Sequence, residues 1–375
     1  MTAGGAPGSR EWGDPPWSVG LALPRTPLPA RVEFAVVGAG FAGLSAALAL
    51  AREGATVEVF EAGRLGDGAS GRTGGIALEG TAEGPREGVE HCLEGLAELV
   101  QRHAIECDLA LGGCWELRHA PAAEAAAERR GWPDLDAGAL VVDARVPGGS
   151  LDPGALVAGL ASAAQRAGVV LREESRVDAC EPGAPHGLHL RGARVEAQHV
   201  LLAIDALPPT LVRLEGIRPA LTFALATEPL PLAVLAEIGL GATPFYTVDL
   251  PYLWGRATRD GRLVIGAGLA FDAEGDLERV SVARADVRET LARMERRVRG
   301  LHPALARAGI THRWGGPIAF RSGPPVLAEL AKGLLAAGAY AGHGVALALR
   351  TGQLVADHLL GRGALPSWGA AEARR

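Results

Sequence analysis

Lysine is almost missing from this chain: of 37 cationic side chains, all but Lys332 are arginine. The arginines are interspersed with 43 acidic residues for a net charge of −6, which leaves no basic stripe for a nucleic acid. Cysteine is scarce as well. Cys92, Cys107, Cys114 and Cys180 form no Cys-x-x-Cys pair, which argues for inert thiols in a reducing compartment and against a metal site. No apolar run reaches the roughly 20 residues of a membrane span, and the first residues lack a basic stretch followed by an apolar one. The expectation is a cytoplasmic chain with neither nucleic-acid nor membrane partners. With 375 residues and 48% hydrophobic content, it can bury a core large enough for two interleaved subdomains.

Glycine, by contrast, is plentiful at 52 residues, and its placement is informative. Ala35-Val36-Val37 is an apolar run that enters Gly38-Ala39-Gly40-Phe41-Ala42-Gly43, and Leu44–Ala51 continues at helical spacing. In such a strand–turn–helix unit the first glycine permits the tight turn. The second lets backbone approach a pyrophosphate, and the third allows close helix–strand packing. The N–H groups opening the helix supply donors and positive dipole to the phosphates. Gly54-Ala55 then turns the chain into Thr56–Phe60, which ends at Glu61-Ala62. An acid at that distance from the first glycine suits the hydroxyls of an adenosine ribose. The unit predicts a dinucleotide; alone it does not separate NAD from FAD.

A second glycine-rich loop follows from Arg64 through Ala69, Ser70, Arg72, Thr73, Gly74 and Gly75. Its small residues predict more backbone close to a ligand, with Ser70, Arg72 and Thr73 free to hydrogen-bond. Glu61 followed by Gly68–Gly75 resembles the flavin-binding signature of the D-amino-acid oxidase family, the FAD-dependent amine and amino-acid oxidoreductases. The resemblance returns in Trp314-Gly315-Gly316-Pro317-Ile318 and in Ala339-Tyr340-Ala341-Gly342-His343-Gly344-Val345. It covers most of the chain from about Phe34 to Leu360. It implies an α/β fold of the glutathione-reductase-like flavoprotein class. There, a Rossmann-like FAD-binding domain is interleaved with an α+β substrate domain built on an antiparallel sheet. The resemblance also implies backbone contacts from Val177 near the adenine and from Ala203 near the pyrophosphate.

The chain divides accordingly into an extended arm, 1–32, and an FAD-binding domain from 33–75, 145–217 and 313–365. The substrate domain takes 76–144 and 218–312, and a tail takes 366–375. Helices are expected around Glu87–His103, Ala122–Arg130, from Pro153, and over Val282–Leu301. Strands are expected at Cys114–Arg118, Val169–Leu171, Ser175–Cys180, His186–Leu190, Arg194-Val195 and Val200–Ile204. Further strands are Thr222–Thr227, Phe245–Val248, Tyr252–Arg256, Leu263–Ala267 and Leu334–Ala337, with a hairpin turn at Asp260-Gly261. A last helix should start near Val345. Aromatic residues are only 5% of the chain, so the cluster of Phe245, Tyr246, Tyr252 and Trp254 is informative. Tyr246, Tyr252 and Trp254 are candidates for an aromatic cage that holds an amine over the flavin, although rings that simply pack the sheet remain an equal reading. His343 is the candidate chemical side chain, although hydride transfer from an unprotonated amine needs no base.

The helix start at Gly342, His343, Gly344 and Val345 can set N–H donors against the flavin N1/O2 edge, where charge gathers as hydride reaches N5. Members of the resembled family that oxidise free α-amino acids often carry an arginine two residues after Trp-x-Gly and another near the last flavin loop. Such a pair clamps a carboxylate through bidentate hydrogen bonds. Here those places hold Ile318 and Gly342, leaving Arg321 or Arg72 as substitutes. No cysteine follows Cys180, and Arg72-Thr73-Gly74-Gly75 occupies the loop used for histidyl attachment, so FAD is expected to be non-covalent. The lysine that promotes reaction with oxygen in some members aligns with Val264, with Arg262 or His343 as substitute charges. The expected activity is oxidation of the C–N bond of an amine or N-substituted amino acid, with hydride transfer to flavin N5 and an imine product. The electron acceptor is oxygen or another compound. The alternatives are a non-catalytic flavin-fold regulatory subunit and an NAD-dependent dehydrogenase.

Overall fold

The chain crosses repeatedly between two large sheets. The structure, a computed structural model, describes residues 11–121, 131–134, 138–206, 211–212, 214, 216–239 and 243–369. The helix expected over Ala122–Arg130 lies outside them. β1 (Arg31–Val37) enters the first glycine loop, α1 (Phe41–Arg52) leaves it, and β2 (Val57–Phe60) ends at Glu61. The short helix α2 (Ala69–Arg72) and β3 (Ile76–Leu78) follow, then α3 (Cys92–Arg102), β4 (Cys114–Ala120), β5 (Gly131–Asp134) and β6 (Gly138–Val146). β7 (Gly148–Ser150) pairs with β3 and returns the chain to α4 (Pro153–Arg166) and β8 (Val170–Arg172). A meander of β9 (Ala179–Glu181), β10 (His186–Leu190) and β11 (Ala193–Leu202) comes next. The second excursion contains β12 (Arg218–Thr227), α5 (Leu232–Ile238), β13 (Phe245–Thr247), β14 (Trp254–Ala257), β15 (Leu263–Ala270), α6 (Ala285–Leu301) and β16 (Ile310–Phe320). β17 (Val326–Ala331), β18 (Leu334–Gly338) and α7 (Gly344–Leu359) complete the fold.

The first sheet has the order β17-β18-β11-β1-β2-β8 and is parallel from β18 to β8, with β9 and β10 attached to the start of β11. β1 lies at its centre. Phe34 to Val37 are all buried, which is why this strand reads as a continuous apolar run. α1 packs between α4 and α7, and a Cβ on Gly352 of α7 would lie 2.4 Å from the Ala42 carbonyl oxygen, so glycine sets how closely the helices cross.

The second sheet has the order β16-β12-β15-β14-β13-β4-β6-β5 and is antiparallel except where β4 meets β13. The helical spacing of Val287, Leu291, Met294 and Val298 places them on one stripe of α6. That stripe packs against Leu117, Phe223, Leu225, Phe245 and Ile265, covering one face of the sheet. The opposite face meets the glycine loops.

Several element boundaries differ from the sequence reading, each for a local reason. The helix expected from Glu87 begins at Cys92, because the Glu79 carboxylate accepts the Cys92 N–H at 2.5 Å and the Leu93 N–H at 3.3 Å. Glu174 and Ser175 run alongside Glu61–Gly63, their N–H groups donating to the Gly63 and Glu61 carbonyls at 2.8 and 2.7 Å, so of the expected strand only Ala179 and Cys180 fall in β9. Arg194 and Val200 belong to one strand, β11, whose first half joins the meander and whose second half joins the parallel sheet. The boundary expected at 312/313 falls within β16. That strand stays on β12 from Thr227↔Ile310 to Arg218↔Phe320, so the antiparallel sheet continues to Phe320.

Candidate active site

The three glycine loops and the exposed face of the antiparallel sheet enclose one continuous cavity of about 1720 Å³. At the end of β1, Gly38 has φ +101°, and a Cβ there would lie 2.6 Å from the Ala203 carbonyl oxygen. Only glycine lets the chain turn so close to β11. Gly40, Phe41 and Ala42 line the cavity where α1 begins; its N-cap residue offers no side-chain cap, so the opening N–H groups other than that of Phe41 are left for a ligand. Gly43 stands behind them: its Cβ would sit 2.0 Å from the Gly38 carbonyl oxygen, the packing role of a third glycine.

Glu61 borders this end of the cavity. Its carboxylate accepts the Ala39 N–H at 2.9 Å and the Gly63 N–H at 3.0 Å. Burial raises its pKa, against the effect of those two bonds. Each oxygen retains accepting capacity for a diol. Ala62, Val177 and Ala203 line the same region. Arg64 does not. It is exposed, and its N–H is tied to Asp67 at 2.9 Å.

In the second loop, Ser70 Oγ accepts the Phe41 N–H at 2.9 Å and joins the two glycine loops. Ala69, Thr73 and Gly74 also line the cavity, whereas Gly75, at φ +75°, packs behind them against Leu151. Arg72 is not free to hold a substrate carboxylate. Only 3% exposed, it donates to the Asp67 carbonyl at 2.9 Å and to the Gly13 and Gly315 carbonyls at 2.7 and 3.0 Å. The N-terminal arm brings one of those carbonyls. Trp17 donates to Gly71 O at 2.7 Å and meets Trp314 edge-on at 5.5 Å, so the arm straps the flavin loop to β16. Arg321, the other proposed substitute, donates to Pro324 O at 3.3 Å and is not among the lining residues. Arg256, which the sequence did not single out, donates to the Gly74 carbonyl, and burial lowers its pKa to about 10.

The third loop carries left-handed backbone at Ala339 (φ +58°), Ala341 (φ +51°) and Gly342 (φ +88°). Non-glycine residues hold that conformation only under external constraint. Asp205, also missed by the sequence reading, supplies it: its carbonyl accepts the Ala339 N–H at 3.1 Å and its carboxylate the Tyr340 N–H at 3.0 Å. Desolvation raises the Asp205 pKa to about 6. Gly342, His343, Gly344 and Val345 then line the cavity as α7 begins, again with no side-chain cap. Burial lowers the His343 pKa, and its Nδ1 is buried without a hydrogen-bond partner. A Cβ on Gly342 would lie 3.6 Å from Ile318 Cδ1. The two clamp positions are therefore neighbours, and neither carries a cation.

Strand pairing lines up Trp314, Ala224, Gly266, Trp254, Tyr246 and Glu116 as a single row across the cavity face of the antiparallel sheet. The Trp254 ring fills the space above two glycines: a Cβ on Gly74 would meet it at 2.1 Å and one on Gly266 at 1.9 Å. Tyr246 donates its hydroxyl to the Glu116 carboxylate, and burial with that carboxylate pushes the phenol pKa far up. Tyr252 stands apart from the row. It is 51% exposed in the loop before β14, at the mouth, and its carbonyl accepts from Arg297 at 3.2 Å. Val264 is fully buried beside Trp314 and Ala224. Arg262 is bonded to Asp260 at 2.9 Å and to Thr227 O at 3.1 Å outside the lining, so it brings no charge into the cavity.

These walls fit FAD. The cradle at Gly38 and Gly40 would be closed by side chains, Glu61 offers acceptors, and the unpartnered His343 nitrogen borders the start of α7. The volume exceeds the few hundred to about 1,000 Å³ of an ordinary small-molecule site, leaving room for a dinucleotide and a substrate. Among the described residues no group of His, Cys, Asp and Glu could hold a metal ion, and no helix is long and apolar enough to cross a membrane.

Such a cavity, between a parallel nucleotide-binding sheet and an antiparallel sheet, defines an FAD-dependent amine or amino-acid oxidoreductase. The chain belongs to the DAO family of FAD dependent oxidoreductases, whose profile matches residues 33–358. It is similar to the probable oxidoreductase OrdL of Haemophilus influenzae, at 30% identity over 88% of this chain and 83% of that protein. It is also similar to γ-glutamylputrescine oxidoreductase of Escherichia coli, at 28% identity over 87% and 83%. The crystal structure of glycine oxidase from Geobacillus kaustophilus shares the fold, with a TM-score of 0.71 at 23% identity, covering 90% of this chain and 96% of that one.

Proposed function

We propose that the chain oxidises the C–N bond of an amine or an N-substituted amino acid to an imine, with FAD bound non-covalently. The observation that carries the substrate half is the Ile318–Gly342 pair, which leaves no guanidinium where an α-carboxylate would be gripped. The Escherichia coli relative, named for γ-glutamylputrescine, supports the same direction. Non-covalent binding is supported by the free cysteines, none of which lines the cavity.

Gly38–Ala42 and Glu61 would hold the adenosine and phosphates, with Ser70–Gly74 and Gly342–Val345 around the flavin. Bound FAD supplies the acceptor for a hydride. The N–H groups and dipole at the start of α7 favour negative charge at their end of the cavity. The amine must arrive neutral: its lone pair becomes the second C–N bond as the hydride leaves carbon with two electrons. The resulting iminium loses its N–H proton to solvent. His343, kept neutral by burial, can accept a hydrogen bond from the amine without being required as a base. Trp254 and Tyr246 form a wall that restricts water.

Two measurements test this. Denaturing the yellow holoprotein should release its FAD into the supernatant; flavin left on the polypeptide contradicts non-covalent binding. One anaerobic turnover should give one carbonyl product, from imine hydrolysis, for each flavin reduced. Reduction without that product contradicts C–N oxidation.

A further inference from the structure

Glu116 is the one feature of the cavity row that neither flavin binding nor hydride transfer uses. Its carboxylate lines the cavity and accepts the Tyr246 hydroxyl. Among the described residues that hydroxyl is its hydrogen-bond partner, and it has no ion pair. A carboxylate held in a concave wall without a counter-cation attracts a cationic ligand group. The cavity's arginines do not neutralise it by contact. Among the described residues no arginine that lines the cavity forms an ion pair with it: Arg72 is held by backbone carbonyls, Arg176 pairs with Glu278, Arg279 with Glu274, and Arg297 donates to the Pro251 and Tyr252 carbonyls.

Position decides which cation it takes. Trp314, whose indole N–H donates to the Arg72 carbonyl at 2.9 Å, and Trp254, which meets Gly74, are the members of the row that touch the flavin loop. Glu116 lies two strands further along, roughly 10 Å from Trp254 at about 4.8 Å per strand. A carboxylate beside the reacting nitrogen would keep it protonated and oppose hydride loss. At the far end of the row it can instead hold a second, non-reacting cation. Tyr246 fixes the carboxylate and presents its ring to the chain between the two nitrogens.

We propose that Glu116 is a specificity-determining residue that binds a distal ammonium or guanidinium of the substrate, so that the enzyme prefers diamine-like substrates over monoamines. This rests on the amine-oxidising reading above. The test uses the oxidised holoenzyme under anaerobic conditions with three five-carbon probes: cadaverine, pentylamine and δ-aminovalerate. The initial perturbation of the flavin spectrum, before any reduction, gives a Kd for each. Cadaverine should bind about tenfold or more tightly than either of the others, as expected for a charge-assisted hydrogen bond. Glu116→Gln, which keeps an acceptor for Tyr246, should abolish that preference, and Glu116→Asp should restore part of it. Equal binding of the three probes, tightest binding of δ-aminovalerate, or a diamine preference that survives Glu116→Gln would overturn the proposal. If Glu116→Gln fails to fold, the wild-type ratios and the Asp variant decide. Cadaverine that binds preferentially but never reduces the flavin counts against the proposed reaction and supports the Glu116 site. Amine oxidation without diamine preference does the reverse.

Discussion

Glu61 does two jobs with one carboxylate. It fixes the first glycine loop through Ala39, and it faces the end of the cavity where the resemblance puts a ribose. Replacing it by alanine removes charge-assisted hydrogen bonds worth about 1.5–3 kcal/mol. FAD affinity, read from quenching of flavin fluorescence, should fall roughly 10- to 150-fold; a loss below threefold would place the ribose elsewhere. Asp205 makes a prediction about pH. Its folded pKa of about 6 lies above the ordinary value of 3.8. Its contribution to stability is therefore fully present below pH 3.8 and lost as pH rises through about 6. Asp205→Asn keeps an acceptor for Tyr340 and removes the titration, so thermal unfolding scans of the holoprotein should lose their decline across that window. An unchanged pH profile would show that Asp205 is not the group responsible. Glu61 was legible in the sequence because strand, loop and acid are contiguous. Asp205 was not, because its role depends on a loop some 135 residues away.

At the scale of elements, the same contrast separates the glycine loops from the sheet. Each loop is a local device, readable from small residues beside a strand and a helix. The row across the antiparallel sheet is assembled from distant segments: Tyr246 and Glu116 are 130 residues apart, and a bulge after Glu116 removes the alternation that would have marked its face. Only the aromatic cluster betrayed the row, and Tyr252, singled out with it, stands at the mouth. The contact between loop and row is testable. Gly74→Ala pushes a methyl into the Trp254 ring and should cost about 1–3 kcal/mol of stability. Trp254→Leu should relieve part of that cost in the double variant. Strictly additive effects in thermal unfolding would mean the two do not meet. β15 carries a second prediction. Val264 is buried among apolar neighbours, and Arg262 is tied to its own hairpin. Reduced enzyme should therefore react slowly with oxygen and faster with an artificial acceptor such as dichlorophenolindophenol. Stopped-flow reoxidation by oxygen at the faster of the two rates would contradict this.

For the whole molecule, two sheets with separate tasks meet at one cavity, and the N-terminal arm ties them together. Trp12 donates to Val280 O at 2.8 Å beside the antiparallel sheet, while Trp17 reaches Gly71 of the flavin loop. The sequence resemblance carried the cofactor and the class of reaction. It also marked Ile318 and Gly342 as the two positions without a clamp arginine, but not that they are neighbours in one wall or that Arg72 and Arg321 are engaged elsewhere, because those contacts join distant segments. The central claim is that this pair makes the enzyme an oxidant of amines in preference to free α-amino acids. Its most direct test is anaerobic mixing of the holoenzyme with a panel of amines, N-alkylated amino acids and α-amino acids while flavin absorbance is followed. Bleaching should be faster with one or more of the amines or N-alkylated compounds than with glycine or D-alanine. Glycine or D-alanine bleaching the flavin faster than every other compound in the panel would contradict the claim.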